Sequence, residues 1–417
     1  MSTDVVTLFA PSAAVVEGRL HLGGRALGDL ADEFGTPALV VDEVALRARA
    51  RRYRDGLAAR WGASRVVWAS KSLPVTAVYR LMAEEGLGAD VAGGGEIEMA
   101  LAGQMDPARL VLHGNAKTDA ELRRALDVGV GLIVVDGLDE LDRLERLVDR
   151  DQAVLLRVTP GVGAPTHAAI ATGQADSKFG FGPHDLASAL ERLAGHRHLR
   201  LEGLHVHVGS QIATTEPFVR ALEAVAALGE FPVYDLGGGL GARYTYDDAP
   251  ASIEAYLDAL TGAARTLLPA GATILIEPGR SLVAEAACTL YRVVAVKRQA
   301  TRAIVAVDGG MADNLEVSLY GQRFEATLVD RVGGGETYAL VGRHCESGDQ
   351  LIDAVALDAP RPGDVLAVPV TGAYCLTMAN NYNGALRPPI VLVREGTARA
   401  VVRRETYQDL LARDVPG

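Results

Sequence analysis

The chain has 417 residues, of which 49% are apolar and 23% charged, and a formal net charge of −12. That length exceeds one domain of ordinary size and suits two, and the acidic balance argues against nucleic acid as a partner. The apolar runs are short and broken by Gly, Arg or Asp, no basic-then-apolar leader opens the chain, and three cysteines are too few for a disulfide framework, so the expectation is a cytoplasmic protein with no membrane partner.

Residues 1–35 read as strand and turn, a segment expected to pack with a β-rich domain further on. From 36 to 280 short apolar runs alternate with helical spacing. The runs include Ala38–Asp42, Val66–Ala69, Leu110–His113, Leu132–Val135, Val154–Arg157, Leu201–Val206, Val233–Leu236 and Thr273–Glu277. Between them, Leu138, Leu141, Leu144 and Val148 repeat at helical spacing. Strand–helix units repeated in this way mean a parallel sheet, and about eight of them in this span suit a closed (β/α)8 barrel. The arginines Arg47, Arg49, Arg51, Arg52 and Arg54 read as the solvated face of a helix or, more sharply, as a dock for an acidic partner. Residues 281–417 carry runs such as Tyr291–Val296, Ala303–Val307, Val365–Val370 and Pro389–Val393 with few long helices, and read as a β-rich C-terminal domain.

Polar residues close the barrel strands. Lys71, Asp90, His113, Arg157, His207, Gly237 and Glu277 all fall at C-terminal strand ends, the rim where barrels of this kind gather their catalytic groups. A desolvated lysine at Lys71 is a nucleophile toward aldehydes. His205 and His207 share a strand and are read as pointing to opposite sides, with His207, followed by Val-Gly-Ser210, as the better candidate to lie over a ring. Gly237, Gly238 and Gly239 offer consecutive backbone N–H groups to an anion. The turn Glu277-Pro-Gly279-Arg280 sets a carboxylate beside a guanidinium: the first can hold a pyridinium nitrogen, the second a phosphate or carboxylate. Cys345 and Glu346 open a Gly-containing loop that ends at Asp349 and offer a proton donor and a recognition group. Lysine, ring cover, phosphate turn and carboxylate together describe a pyridoxal 5'-phosphate site.

With these motifs in order, and with Ala89-Asp-Val, Gly94-Gly-Glu96, His113-Gly-Asn115, Ser177-Lys-Phe-Gly180, Val307-Asp-Gly-Gly-Met311, Leu319-Tyr320 and Gly372-Ala-Tyr374, the chain resembles the diaminopimelate decarboxylases, pyridoxal-phosphate enzymes of the alanine-racemase fold. The resemblance runs from about residue 25 to the C-terminus. It implies that Lys71 holds the cofactor as a Schiff base and that His207 stacks on its ring. Ser210, the three glycines and Tyr374 would hold the phosphate, and Glu277 would pair with the ring nitrogen. Asp90 and Gly279 would belong to the same cofactor site. Arg280, Tyr320 and Tyr374 would meet substrate, Cys345 would return a proton to Cα, and Glu346 would recognise the far amine. Cys345 and Glu346 would complete the site of a second copy, which implies a homodimer with shared active sites.

Two motifs depart. The family's Lys-Ala-Asn is Lys71-Ser-Leu73 here. The family carries Arg-Pro four residues before Tyr320, and that Arg binds the distal carboxylate of diaminopimelate; this chain has Glu316 and Val317. Like charges in contact at a partly buried site cost several kcal/mol. The departure implies a decarboxylase with altered distal recognition, acting on another free amino acid or on an aminoacyl group tethered to an acyl carrier protein, as in relatives from antibiotic pathways. The alternatives are an ordinary diaminopimelate decarboxylase making L-lysine, and a catalytically silent relative that binds the cofactor as a regulator.

Overall fold

A computed structural model describes residues 5–159 and 178–415. The chain forms two compact units: Arg49–Gly241 with Ala249–Ser281, and Met1–Ala48 with Ala242–Asp248 and Leu282–Gly417.

The first unit is a closed barrel of eight parallel strands: Ser64–Ala69, Gly88–Val91, Leu110–Leu112, Leu132–Val135, Gln152–Arg157, Leu199–His205, Val233–Asp235 and Thr273–Ile276. Thr273–Ile276 pairs back onto Ser64–Ala69 and shuts it. Helices buried on one stripe join the strands. In Leu138–Leu147, Leu141 and Leu144 are fully buried. Asp119–Val128 starts on a capping box, in which Thr118 accepts the N–H of Glu121 and the Glu121 carboxylate accepts that of Thr118, and it stops at Gly129 with φ 79°. Such signals set where each helix begins and ends, so each strand end arrives at the rim in register. The barrel interior is filled by Val67, Val111, Leu132, Val134, Leu155 and Leu275, each worth roughly 1.5–3 kcal/mol when buried.

Ala38–Asp42 is not a barrel stave. It pairs antiparallel with Ala287–Arg298 and parallel with Ile390–Arg394 in the second unit's sheet. All five of its residues are buried, and a short run buried on both faces carries no periodicity that tells one sheet from another. Gly88–Val91, which contains Asp90, makes up the eight.

The second unit is built on a mixed sheet in the order Gln350–Leu357, Glu336–Val341, Ala303–Val307, Ala287–Arg298, Ala38–Asp42, Ile390–Arg394 and Thr397–Val402, with Val365–Pro369 and Thr327–Leu328 branching from it. The N-terminal strands Ala14–Val16, Arg19–Leu22 and Arg25–Ala26 make a small separate sheet in this unit. The Leu20 N–H donates to the Val329 carbonyl at 2.6 Å, and Arg19 meets Asp330 at 2.8 Å.

The arginine cluster is neutralised inside each unit. Arg47 lies 3.0 Å from Glu43, Arg51 3.2 Å from Glu85, Arg52 2.9 Å from Glu254 and Arg54 2.7 Å from Asp55. Arg49 donates through Nε to the Ser281 carbonyl at 2.9 Å. Among the described residues no helix is long and apolar enough to cross a membrane.

Candidate active site

At the C-terminal mouth of the barrel, Glu277 follows the last strand by one residue and sits between two imidazoles. His205 Nε2 is 3.3 Å from Glu277 Oε2, in hydrogen-bond geometry. His113 Nε2 is 2.6 Å from Glu277 Oε1 but off that geometry, and the two histidine rings meet edge to face at 4.7 Å. Asp90 lies 3.9 Å from His113. Asp235, the last residue of its strand, accepts the Gly237 N–H at 3.0 Å, while the Gly237 carbonyl accepts the Glu277 N–H at 2.7 Å.

These three buried carboxylates are pushed in different directions. Burial works to raise Glu277, but the flanking His113 and His205 outweigh it, and its carboxyl stays well below the usual range. Burial, aided by the Glu277 charge, raises Asp90, and the same two causes hold Asp235 well above the usual carboxylate value. Burial pushes His205 down to about 3 and, with Lys71 and Arg157 nearby, takes His207 well below its usual value, so both rings are neutral. Like groups pushed apart in this way are how one site assigns different protonation states to similar residues.

His205 and His207 do not diverge. Residues two apart share a strand face, and both turn into the mouth: His205 to Glu277, and His207 to accept the Gly238 N–H on Nδ1 at 3.2 Å. That bond puts the His207 proton on Nε2. His207 is half-buried.

Gly237, Gly238 and Gly239 form a cradle that no other residue could build. Gly237 has φ 62° and Gly239 φ 127°; a Cβ on Gly237 would lie 2.6 Å from the Val206 carbonyl oxygen, and one on Gly238 would overlap that of Glu277. Gly279 is buried in the turn that leads to Arg280, and Arg280, also buried, donates through Nε to Ser210 Oγ at 3.2 Å. Lys71 stands in the turn Ser70–Ser72 that follows the first barrel strand. Its side chain is exposed in the single chain, unlike the desolvated lysine expected from the sequence.

These residues fit pyridoxal phosphate. The buried Glu277 carboxylate, held well below the usual range, suits a protonated ring nitrogen. The glycine cradle, with Ser210 and Arg280, suits a phosphate. Lys71 suits an aldehyde.

The second unit holds the remaining candidates. The Cys345 N–H donates to Asn383 Oδ1 at 3.0 Å, and the Tyr382 hydroxyl donates to Glu346 at 3.4 Å; Cys345 and Glu346 are both exposed. Buried Asp349 accepts the N–H groups of Met311 and His344, each at 2.7 Å, and so ties the Val307–Met311 stretch to the Cys345 loop. Tyr374 takes φ 64°, a left-handed conformation uncommon for a bulky residue and typical of positions held for a purpose. Glu316, 1% exposed, begins the short helix Glu316–Tyr320, and Tyr320, partly exposed, ends it.

Sequence reasoning placed His113 on the rim without a role, passed over His205 in favour of His207 and left Asp235 out, although each closes a barrel strand or follows one by a residue. It also missed Lys117 and Glu140. These lie 2.8 Å apart with side chains 1% and 4% exposed, and Lys117 Nζ also donates to the Gly114 and Val134 carbonyls at 2.5 and 2.8 Å. The pair pins the turn after His113. Arg157, at the end of its strand, packs over the Phe179 ring at 4.1 Å; Ser177, in the same motif as Phe179, lies outside the described residues.

Comparison with known proteins agrees with this geometry. Residues 44–284 match the family described as pyridoxal-dependent decarboxylase, pyridoxal binding domain. A diaminopimelate decarboxylase of Actinosynnema pretiosum subsp. auranticum is 45% identical over 413 residues, covering 95% of this chain and 93% of its own. That of Bacillus subtilis is 42% identical, with 96% of each covered. The diaminopimelate decarboxylase of M. jannaschii, solved in complex with L-lysine, superposes with a TM-score of 0.92 at 29% identity over 98% of both chains. The chain is a pyridoxal-phosphate-dependent carboxy-lyase and belongs to the diaminopimelate decarboxylase family of pyridoxal-dependent decarboxylases.

Proposed function

We propose that this chain removes the α-carboxyl group of a free amino acid, with diaminopimelate as the substrate. The observation that carries the chemistry is Glu277, a buried carboxylate held well below the usual range between His113 and His205. Pyridoxal phosphate, when bound, supplies an electron sink for the pair left at Cα as CO2 departs. Glu277 would pair with the ring nitrogen and keep it charged, while burial raises Asp90 and Asp235 and so disfavours further negative charge beside it. His207, its Nδ1 tied to the Gly238 N–H, would cover the ring. The glycine N–H groups, Ser210 and Arg280 hold the phosphate. Lys71 takes the aldehyde, and Cys345 gives the proton that replaces the lost carboxyl group.

Diaminopimelate is favoured by the names of the relatives at 45% and 42% identity. Two observations weaken the carrier-bound reading and its antibiotic setting. The arginine cluster is paired within the fold, which removes the charge argument for an acidic carrier. Glu316 is buried at the head of its helix, which limits its reach to any ligand. Glu316 still stands where the family has a carboxylate-binding Arg, and that keeps a second reading: an amino acid whose far end is an amine. Exposure of Cys345 and Glu346 in the single chain supports a homodimer in which each copy completes the other's site. The cysteines stand as thiols, Cys288 and Cys375 buried and Cys345 exposed, which supports a reducing cytoplasm.

Steady-state CO2 release from diaminopimelate, lysine, ornithine and glutamate tests the reading. The highest kcat/KM is expected with diaminopimelate. A higher value with lysine or ornithine, together with a gain on diaminopimelate in Glu316→Arg, would establish the second reading instead.

A further inference from the structure

The barrel has a second mouth. At the N-terminal ends of its strands, opposite to Lys71 and Glu277, lies a cavity of about 330 Å3 walled by the barrel unit alone. Its floor is the barrel's own core, with Val67, Val111, Leu132 and Leu275. The space exists because Gly88 occupies the wall: two residues before Asp90 on the same strand face, it has no side chain to reach across the floor. A Cβ there would overlap the Arg109 carbonyl oxygen.

Three arginines ring the opening, and no Asp or Glu lines it. Arg54 is fixed, donating to the Glu85 carbonyl at 2.5 Å and to Asp55 at 2.7 Å. Arg65 and Arg109 are exposed and form no ion pair among the described residues. Several arginines elsewhere on this unit are matched, Arg52 by Glu254, Arg60 by Asp258, Arg124 by Glu98 and Arg192 by Asp142, while others such as Arg80 and Arg123 are exposed with no ion pair among the described residues. Here unmatched positive charge meets a recessed apolar floor, in a net-acidic protein.

We propose that this mouth is a binding site for a small organic acid. Its carboxylate would sit in the guanidinium forks of Arg65 and Arg109, whose planar donors match a carboxylate's two oxygens. Its alkyl body would cover Val67, Val111, Leu132 and Leu275. The volume is at the low end for small-molecule pockets, roughly 300–1,000 Å3, and suits an acid of a few carbons. A bare inorganic anion would satisfy the arginines and leave the floor wet. The site is separate from the catalytic mouth, so this inference stands apart from the proposed substrate.

Calorimetric titration of the cofactor-loaded protein tests it, with propionate, butyrate, pentanoate, inorganic phosphate and pentylamine as probes. Affinity is expected to rise about fourfold per added methylene. Phosphate and pentylamine should bind at least about tenfold more weakly than pentanoate. Arg65→Gln and Arg109→Gln should each weaken pentanoate about tenfold, the loss of one charge-assisted contact, and the double variant should bind none measurably. Both positions are exposed, and an unchanged visible cofactor spectrum and circular dichroism will show that the variants fold. Pentanoate binding equally to the double variant, phosphate or pentylamine matching pentanoate, or no binding to the wild type would each overturn the proposal.

Discussion

Lys117→Met should destabilise the barrel by about 3–5 kcal/mol at pH 8, because it strips the partner from a buried charge. The ammonium has three acceptors within 2.8 Å, the Glu140 carboxylate and the Gly114 and Val134 carbonyls, and both side chains are almost wholly buried. Burial already lowers Lys117 and raises Glu140, each offset by the other. Without the lysine, Glu140 escapes its penalty only by taking up a proton. That caps the loss at about 1.4 kcal/mol for each pH unit above its unfolded value of about 4.3, or about 5 kcal/mol at pH 8 and under about 2 at pH 5.5. The sign follows from proton counting. In the variant the folded pKa of Glu140 lies above the unfolded one, so the folded chain binds the extra proton between them, and stability rises as pH falls through that window. Urea unfolding followed by circular dichroism at pH 8 and pH 5.5, for wild type, Lys117→Met and Lys117→Met/Glu140→Leu, measures all three numbers. The double variant should recover most of the loss, since a buried pair replaced by apolar side chains of similar volume is often near neutral. A single variant that loses less than about 1 kcal/mol at pH 8, or the same amount at both pH values, would refute the reasoning.

Lys71→Ala should abolish turnover and the visible absorbance of the bound cofactor; borohydride trapping in the wild type should label Lys71, and a label on another lysine would remove it from its role. Gly238→Ala should fold but retain the cofactor poorly, because its methyl group meets the Glu277 carbonyl; this is read as cofactor loss on dialysis, and full retention counts against the phosphate cradle. Mixing inactive Lys71→Ala with inactive Cys345→Ala chains should restore activity in mixed dimers, where one of the two sites is intact. Failure to recover activity despite demonstrated subunit exchange would show that the sites are not shared.

Much of this molecule was legible before any coordinates. The barrel follows from alternating strand and helix periods, and the rim from polar residues that close apolar runs. Lys71, Asp90, His113, His207, Gly237 and Glu277 were visible as strand-end residues, since a strand end is a local feature of the sequence, while the expected roles of Ser210 and Gly279 came from the family resemblance. What periodicity could not place was Ala38–Asp42, because a five-residue run buried on both faces fits either sheet. The fate of the arginine cluster was equally out of reach: Arg52 and Glu254 are 202 residues apart. The ionisation of the floor was decided by the tertiary structure alone. Asp90, Asp235 and Glu277 are three carboxylates of nearly equal intrinsic acidity, and the closeness of His113 and His205 is what lowers Glu277 while burial raises the other two. A pKa depends on what surrounds a group in space, and neighbours brought together from different strands of a closed barrel leave no mark in the order of residues along the chain.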